Sequence, residues 1–165
     1  MLDSLAIINR ILEEHQTIRG HIKLVGDSVS DEEALSSLEK ARADWIPGRP
    51  EILSEKKKKL QQTINALDEG LKNHFAYEEK TLPPLLGKLL MRSLLLEHQA
   101  IKKEIDEAKS AVAGIKLEGL ERDRLLSEEA RMQQMVDDIC QLVGEHAIKE
   151  DTVLTMVQMA LKGEE

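Results

Sequence analysis

The sequence predicts an all-α protein, an antiparallel up-down four-helix bundle with a short extra helix between the first and second long helices. Apolar residues recur at offsets of three, four, seven and eight in four long segments, which is the spacing of one helix face. The four prolines fall in only two places, Pro47 with Pro50 and Pro83 with Pro84, so they separate long segments. Aromatic residues make up 2% of the chain, so the core must be aliphatic. Long helices with short connections indicate a bundle, in which sites are built from inward-pointing side chains.

The first half of the chain contains two predicted helices and an extra short one. Helix 1 is expected at about residues 4–25, followed by a GDSVSD turn. The segment DEEALSSLEKARADW follows, with Asp31 as a candidate cap, and is expected to form a small helix that covers one end of the bundle. Helix 2 is expected from Pro50, which occupies a permitted first position, to about residue 82. The run KKKK at positions 56–59 is expected to be a solvated face of helix 2.

The second half repeats the plan. Helix 3 is expected at about residues 87–113, followed by the connection GIKLEGL with its two glycines. Helix 4 is expected at about residues 120–162. We therefore expect residues 1–165 to form a single domain, which is the usual outcome for a chain of this length.

The composition limits the classes of partner. The chain has 23 basic and 31 acidic residues and a formal charge of -8, which argues against nucleic acid or an anionic membrane as the main partner. Cys140 is the single cysteine, so an internal disulfide is excluded, and we expect it to be a small buried hydrophobe. The beginning MLDSLAIINR has too short an apolar run for a signal peptide. We expect a cytoplasmic protein, and nothing in the sequence indicates a protein partner.

Four of the five histidines are predicted to point into the core. Positions that share a helix face with each of them are mostly apolar: Met91, Leu94, Leu95, Ile101 and Ile105 surround His98, for example. The inward set has one histidine from each main helix: His15, His74, His98 and His146. Glu78 and Glu150 follow two of them at i+4, on the same face. His21 lies off the face of helix 1 and is expected at the surface or its boundary.

The same pattern occurs twice along the chain. EHQxI occurs at positions 14–18 and 97–101, and HFAYEEKTL at 74–82 resembles HAIKEDTVL at 146–154. Each half offers two imidazoles and one inward carboxylate, and burying these groups without partners would cost several kcal/mol each. Two halves facing each other predict a site for two metal ions with bridging carboxylates. Mixed nitrogen and oxygen ligands with open positions favour iron or manganese over a closed structural zinc site.

These motifs resemble the haemerythrin-like (HHE cation-binding) domain family, in the family's order of a lone His, HxxxE, a lone His and HxxxE. The resemblance covers nearly the whole chain and implies a four-helix bundle with two iron ions, oxo- or hydroxo-bridged, for which manganese or zinc could substitute. It also implies the metal ligands: His15, His74, Glu78, His98, His146 and Glu150. The family's oxygen carriers use an acid five residues after the last His, which leaves Asp151 as an alternative to Glu150. They also have a fifth histidine where this chain has Lys102.

The missing fifth histidine argues against reversible oxygen carriage. The resemblance therefore implies a non-haem di-iron protein that binds or reacts with dioxygen, peroxide or nitric oxide, in oxidative or nitrosative stress or in iron homeostasis. The alternative is an iron- or oxygen-sensing interaction module without turnover. Around the site, Arg19 and Lys102 are expected to pair with Glu79 and Asp151 and to orient the bridging carboxylates, unless both cations extend to solvent. Tyr77 is predicted to be inward, where it fills the core or donates a hydrogen bond to a bound diatomic.

Overall fold

In the part of the chain that the structure describes, the protein is an all-α bundle of four long helices, as the sequence predicts. The computed structural model describes the backbone of residues 2–29 and 51–163, and the side chains of residues 4–18 and 53–163. Its helices are α1 (Leu2–Val29), α2 (Glu51–Thr81), α3 (Pro83–Gly114) and α4 (Arg122–Gly163). Within these ranges there is no strand, and no helix is long and apolar enough to cross a membrane. The predicted extra helix and the side chain of His21 lie outside this part of the chain.

Two predicted helix ends were wrong. α1 continues to Val29, so the expected turn after residue 25 lies further along, because one glycine costs a helix only about 1 kcal/mol. α3 begins at Pro83 instead of Gly87. Gly87 has a φ of 71°, a left-handed conformation that glycine adopts without a steric penalty, and it separates a first turn containing both prolines from the rest of α3. The chain therefore reverses between α2 and α3 within a few residues.

The helices form a closed ring around one core. α1 packs against α2 and α4, and α3 packs against the same two helices. The larger apolar cluster extends from the middle of the bundle towards the α3–α4 connection and includes Ile64, Ile105 and Val136. The smaller cluster lies at the opposite end and includes Ile11 and Leu154. Between these clusters the interior is polar, and this layer contains the buried histidines.

The run of four lysines in α2 is only partly a solvated face. Lys56 Nζ lies 3.0 Å from Glu129 Oε1, and both side chains are largely buried, at 12% and 7% exposure. Lys57 Nζ donates to the backbone oxygen of Ile115 over 2.6 Å, which joins α2 to the end of α3. Lys58 and Lys59 are exposed, as expected. Half of the run therefore ties helices together, which the charge pattern alone did not indicate.

One apolar position was placed wrongly. Leu95 was expected on the inward face of helix 3, but it is 37% exposed. It lies three residues before His98, at the edge of an arc that the neighbouring helices cover only in part. Met91, Leu94, Ile101 and Ile105 are buried as predicted.

Candidate metal centre

The polar layer in the middle of the bundle brings together all six residues that the sequence singled out. They come from all four helices and each is at most 5% exposed: His15, His74, Glu78, His98, His146 and Glu150. The i+4 spacing on α2 and on α4 places an imidazole and a carboxylate one above the other on the same inward face. Apolar side chains cover the layer from both ends of the bundle. The site is therefore a closed polar layer inside an aliphatic core.

Glu78 occupies the centre of this layer. Its Oε1 atom lies 3.2 Å from Nε2 of His15 and 2.5 Å from Nε2 of His74. Its Oε2 atom lies 3.1 Å from Nε2 of His98. One carboxylate thus faces imidazoles from three helices, with each oxygen turned towards a different group.

Glu150 is the second inner carboxylate. Its Oε2 atom lies 3.0 Å from Nε2 of His146 and 3.8 Å from Nε2 of His15. All four imidazoles therefore direct Nε2 towards the two glutamates. A layer of this kind has nitrogen and oxygen donors facing a common space.

The outer nitrogen of each imidazole has its own carboxylate. His15 Nδ1 lies 2.5 Å from Asp151 Oδ1, and His98 Nδ1 lies 2.9 Å from Glu79 Oε1. The remaining two pairs are His74 Nδ1 with Glu14 Oε2 at 2.7 Å and His146 Nδ1 with Glu97 Oε2 at 2.6 Å. Since a carboxylate accepts, each Nδ1–H donates, and Nε2 keeps its lone pair for the interior. This arrangement is typical of histidines that bind metals.

The pKa shifts in this layer indicate that positive charge beside the Glu78 carboxylate is favourable. Burial would raise the pKa of Glu78, but the nearby imidazoles of His15, His74 and His98 lower it far below its ordinary range. Burial raises the pKa of Glu150, and the charge of Glu78 adds to this effect against the contact with His146. Burial lowers the pKa of His15 and the contact with Glu78 raises it, with a net increase. Glu78 is thus held anionic beside cationic imidazoles, whereas the raised pKa of Glu150 means that a second negative charge in the layer is disfavoured.

The unpaired atoms of the layer fit a metal better than an ordinary core. Among the described residues, several inward atoms have no hydrogen bond of suitable geometry: Nε2 of His74, His98 and His146, Oε2 of Glu78, and both carboxylate oxygens of Glu150. Leaving such buried groups unpaired costs about 1–3 kcal/mol each. Two ligands held at right angles about 2.1 Å from one ion lie about 3.0 Å apart, which is close to the spacing of these nitrogen and oxygen atoms.

The donors divide into two groups that could each hold a metal ion. One group contains Glu78, His98, His146 and Glu150, and the other contains His15, His74 and Glu78. Within each group the donor atoms all lie within 4.8 Å of one another. Glu78 belongs to both groups, so it is placed where a bridging carboxylate would be.

The neighbouring predicted residues lie outside these groups. Asp151 holds the outer nitrogen of His15, and Glu79 holds that of His98 instead of orienting a bridging carboxylate. Lys102 Nζ lies 3.8 Å from Glu79, as expected, and 5.7 Å from the ring centre of Phe75. The side chain of Arg19 lies outside the described residues.

Tyr77 and Cys140 do not face the metal groups. Tyr77 is partly buried and packs against the smaller apolar cluster, which agrees with the core-filling alternative, and the Arg10 guanidinium lies 3.9 Å from its ring centre. Cys140 is half-buried and packs against the larger apolar cluster. Burial raises the pKa of its thiol to about 11, with a further increase from Asp137.

Three residues of the site were missed in the sequence. Glu14 and Glu97 each precede a predicted histidine, and the doubled EH dipeptide was the signal that could have found them. Phe75 is fully buried, and its ring lies 3.8 Å from that of His98 at an interplanar angle of 12°. The sequence did not single out Phe75 because a phenylalanine beside a ligand in an aliphatic core is equally well explained as an ordinary packing residue.

The family comparison agrees with this geometry. The sequence matches the family described as Hemerythrin HHE cation binding domain over residues 6–157, a range that includes all six inner residues and the four outer acids. No curated protein and no solved structure matches the sequence. The chain therefore belongs to the haemerythrin HHE cation-binding domain family, as its motifs predicted.

Proposed function

We propose that the protein is a non-haem di-iron protein whose centre binds or reacts with a small ligand such as dioxygen, peroxide or nitric oxide. One iron would be held by His15, His74 and Glu78. The other would be held by His98, His146, Glu150 and the same Glu78. The observation that carries the proposal is the convergence of four Nε2 atoms on two buried carboxylates while every Nδ1 is bound to an outer acid.

Iron suits this donor set better than a structural zinc ion does. Structural zinc sites are closed by four ligands, mostly from cysteine and histidine, whereas the donors here are imidazole and carboxylate. Imidazole with carboxylate and unfilled positions favours iron or manganese. When bound, iron would supply redox chemistry and coordination positions for an external ligand.

The protein groups have distinct tasks around this centre. The outer acids fix the orientation and tautomer of the imidazoles, so that the inward nitrogen is unprotonated when a metal binds. Phe75 covers the ring of His98 and makes an edge contact with His146, with ring centres 5.7 Å apart. The apolar clusters above and below keep water out, which strengthens electrostatic interactions inside.

The residue at the fifth-histidine place supports reactivity with a small ligand. Lys102 extends to Glu79 at 3.8 Å and offers no nitrogen lone pair to the interior. The six inner residues therefore leave positions for an external ligand. The burial of these residues, each at most 5% exposed, would restrict the external ligand to small molecules.

The optical spectrum tests this function. We expect the oxidised, iron-loaded protein to show charge-transfer bands that shift on addition of azide, and the reduced protein to change its spectrum on addition of nitric oxide. The variant His98→Ala is expected to lose these bands, while Gln99→Ala, at the neighbouring exposed position, keeps them. Iron-loaded protein whose spectrum is unaffected by azide, peroxide and nitric oxide would contradict a ligand-binding centre.

A second candidate function is an iron- or oxygen-sensing interaction module without turnover. The unpaired polar atoms of Glu78 and Glu150 favour it, because metal removal would leave two acids buried side by side and destabilise the bundle. Such a module is expected to show a large difference in Tm between metal-free and loaded protein and no consumption of peroxide or nitric oxide. Sustained consumption would instead favour the reactive centre.

A further inference from the structure

Two rows of charged groups with contacts of 3.0 Å or less lead outward from the candidate metal centre, besides the longer 3.8 Å contact of Lys102 with Glu79. In the first, His74 Nδ1 is bound to Glu14, whose Oε1 lies 2.9 Å from Arg10 Nε. In the second, His146 Nδ1 is bound to Glu97, whose Oε1 lies 3.0 Å from Lys149 Nζ. Each row runs from imidazole to carboxylate to cation.

The two halves of the chain provide these cations in different ways. The EH motif is offset by 83 residues between the halves, so Ser93 is the counterpart of Arg10. The HxxxE motif is offset by 72 residues, so Tyr77 is the counterpart of Lys149. In the first half the cation comes from the helix with the lone histidine, and in the second it comes from the helix with HxxxE. A cation lies against the outer acid in both halves, although the residue that supplies it differs.

Arg10 has two contacts that orient its guanidinium, although its side chain is 58% exposed. Its guanidinium packs on the Tyr77 ring, with 3.9 Å from Cζ to the ring centre, and its Nε donates to Glu14 in a charge-assisted hydrogen bond. Tyr77, which also packs against the smaller apolar cluster, thus supports the outer cation. Lys149 has a comparable bond to Glu97.

We infer that Arg10 and Lys149 are positioning residues that act through Glu14 and Glu97 to limit the negative charge around the metal ions. This inference rests on the proposed function, because it assigns the two cations a role towards bound metal. Six carboxylates lie in or around the layer, and two divalent ions supply only four positive charges. A cation on the outer oxygen draws charge away from the imidazole, so His74 and His146 are weaker donors to the metal than they would otherwise be.

This role predicts that removal of the cation changes metal affinity in the opposite direction to that expected of a merely structural role. In the first case, the cation acts by reducing the negative charge that the carboxylate presents to the imidazole. Removal of the cation then strengthens the hydrogen bond from Nδ1–H to the carboxylate, makes Nε2 more basic and tightens metal binding. If the cation only holds the carboxylate in place, its removal loosens the imidazole and weakens metal binding. The direction of the change therefore separates the two roles.

The test uses Co²⁺ alone, added to metal-free protein in competition with a coloured chelator. Arg10→Met and Lys149→Met are each expected to tighten Co²⁺ binding about two- to fivefold, a range set by the strength of exposed ion pairs. The double variant is expected to combine both changes. Arg10→Lys restores the charge and is expected to restore the wild-type affinity. The differences are expected to shrink at high salt, because both cations are exposed, at 58% and 65%.

Lys103→Met is the matched control, because it removes the same charge from α3 and, among the described residues, breaks an exposed pair with Glu107 at 3.7 Å. Its Co²⁺ affinity is expected to equal that of the wild type. Unchanged or weaker binding by Arg10→Met and Lys149→Met would overturn the inference, as would an equal tightening by Lys103→Met. Since Co²⁺ is the probe, this test is separate from the proposed iron function, which fails if iron is not taken up.

Discussion

Glu14 precedes His15 in the chain, yet its carboxylate accepts a hydrogen bond from His74 on the neighbouring helix, over 2.7 Å. Glu97 precedes His98 and in the same way binds His146, over 2.6 Å. Each EH dipeptide therefore contributes to two imidazoles of the layer. Its histidine is one of them, and its glutamate accepts a hydrogen bond from the other. This explains why the glutamate is repeated together with the histidine.

The first prediction concerns this outer acid. We expect Glu97→Gln to weaken metal binding about tenfold, because a neutral amide accepts the His146 Nδ1–H bond less strongly and holds the ring less well. Chelator competition on metal-free protein measures the change. Glu145→Gln is the control, since Glu145 lies on the exposed side of α4 and accepts a hydrogen bond from the neighbouring Gln141. Equal affinities for the two variants would show that the outer acid has no role.

The second prediction separates the two inner carboxylates. Glu78 belongs to both donor groups and Glu150 to one of them. We therefore expect Glu78→Gln to impair both metal positions, and Glu150→Gln to leave one metal bound tightly and the other weakly. Titration with Co²⁺ followed by elemental analysis measures the stoichiometry. Identical stoichiometry in both variants would contradict the placement of Glu78 as the bridge.

The third prediction concerns Asp151. Its carboxylate lies on the outer nitrogen of His15, so Asp151→Asn is expected to keep two metal positions and to weaken binding about tenfold. Glu150→Gln, by contrast, is expected to remove a ligand. Loss of a whole metal equivalent from Asp151→Asn at saturating metal would identify Asp151 as a ligand instead.

The fourth prediction concerns an ion pair outside the candidate metal centre. Asp68 is 3% exposed, and its Oδ2 accepts from Lys72 and Lys109, over 2.8 Å each. Burial would raise the pKa of Asp68, but the bonds from Lys109 and Lys72 lower it below its ordinary value of 3.8. The stabilisation is therefore present above pH 3.8 and is lost as the pH falls through the lower folded-state value.

Unfolding in urea measures this effect. We expect Asp68→Asn to lose about 1–2 kcal/mol of unfolding free energy at about pH 7, a figure reduced by the partial exposure of both lysines. The gap between variant and wild type is expected to narrow as the pH falls below 3.8. Asp106→Asn, at an exposed position of α3, serves as the control. A gap that stays constant with pH would mean that Asp68 contributes through packing alone.

Helical periodicity was sufficient to predict the inner layer of the site. His15, His74, His98 and His146 are buried because the 3.6-residue period fixes which side chains share a face with apolar neighbours. The repeat added that the halves face each other. Fold class and direction of the inner residues therefore followed from spacing along single helices.

Features that depend on how two helices align could not be predicted in this way. Glu14 reaches a histidine of α2, and Lys149 reaches an acid of α3, so each contact requires the relative height of two helices. The partial exposure of Leu95 likewise depends on how widely neighbouring helices cover α3. Long charged side chains add to the difficulty, since their rotamers place the charge several ångströms from the backbone.

The iron content of the protein purified without chelators from iron-replete cells is the most direct test of the di-iron centre. The shared position of Glu78 between two donor groups predicts about two iron atoms per chain. Two results would contradict the account: protein that retains no iron, or protein that holds a single tightly bound zinc ion and does not bind iron after the zinc is removed.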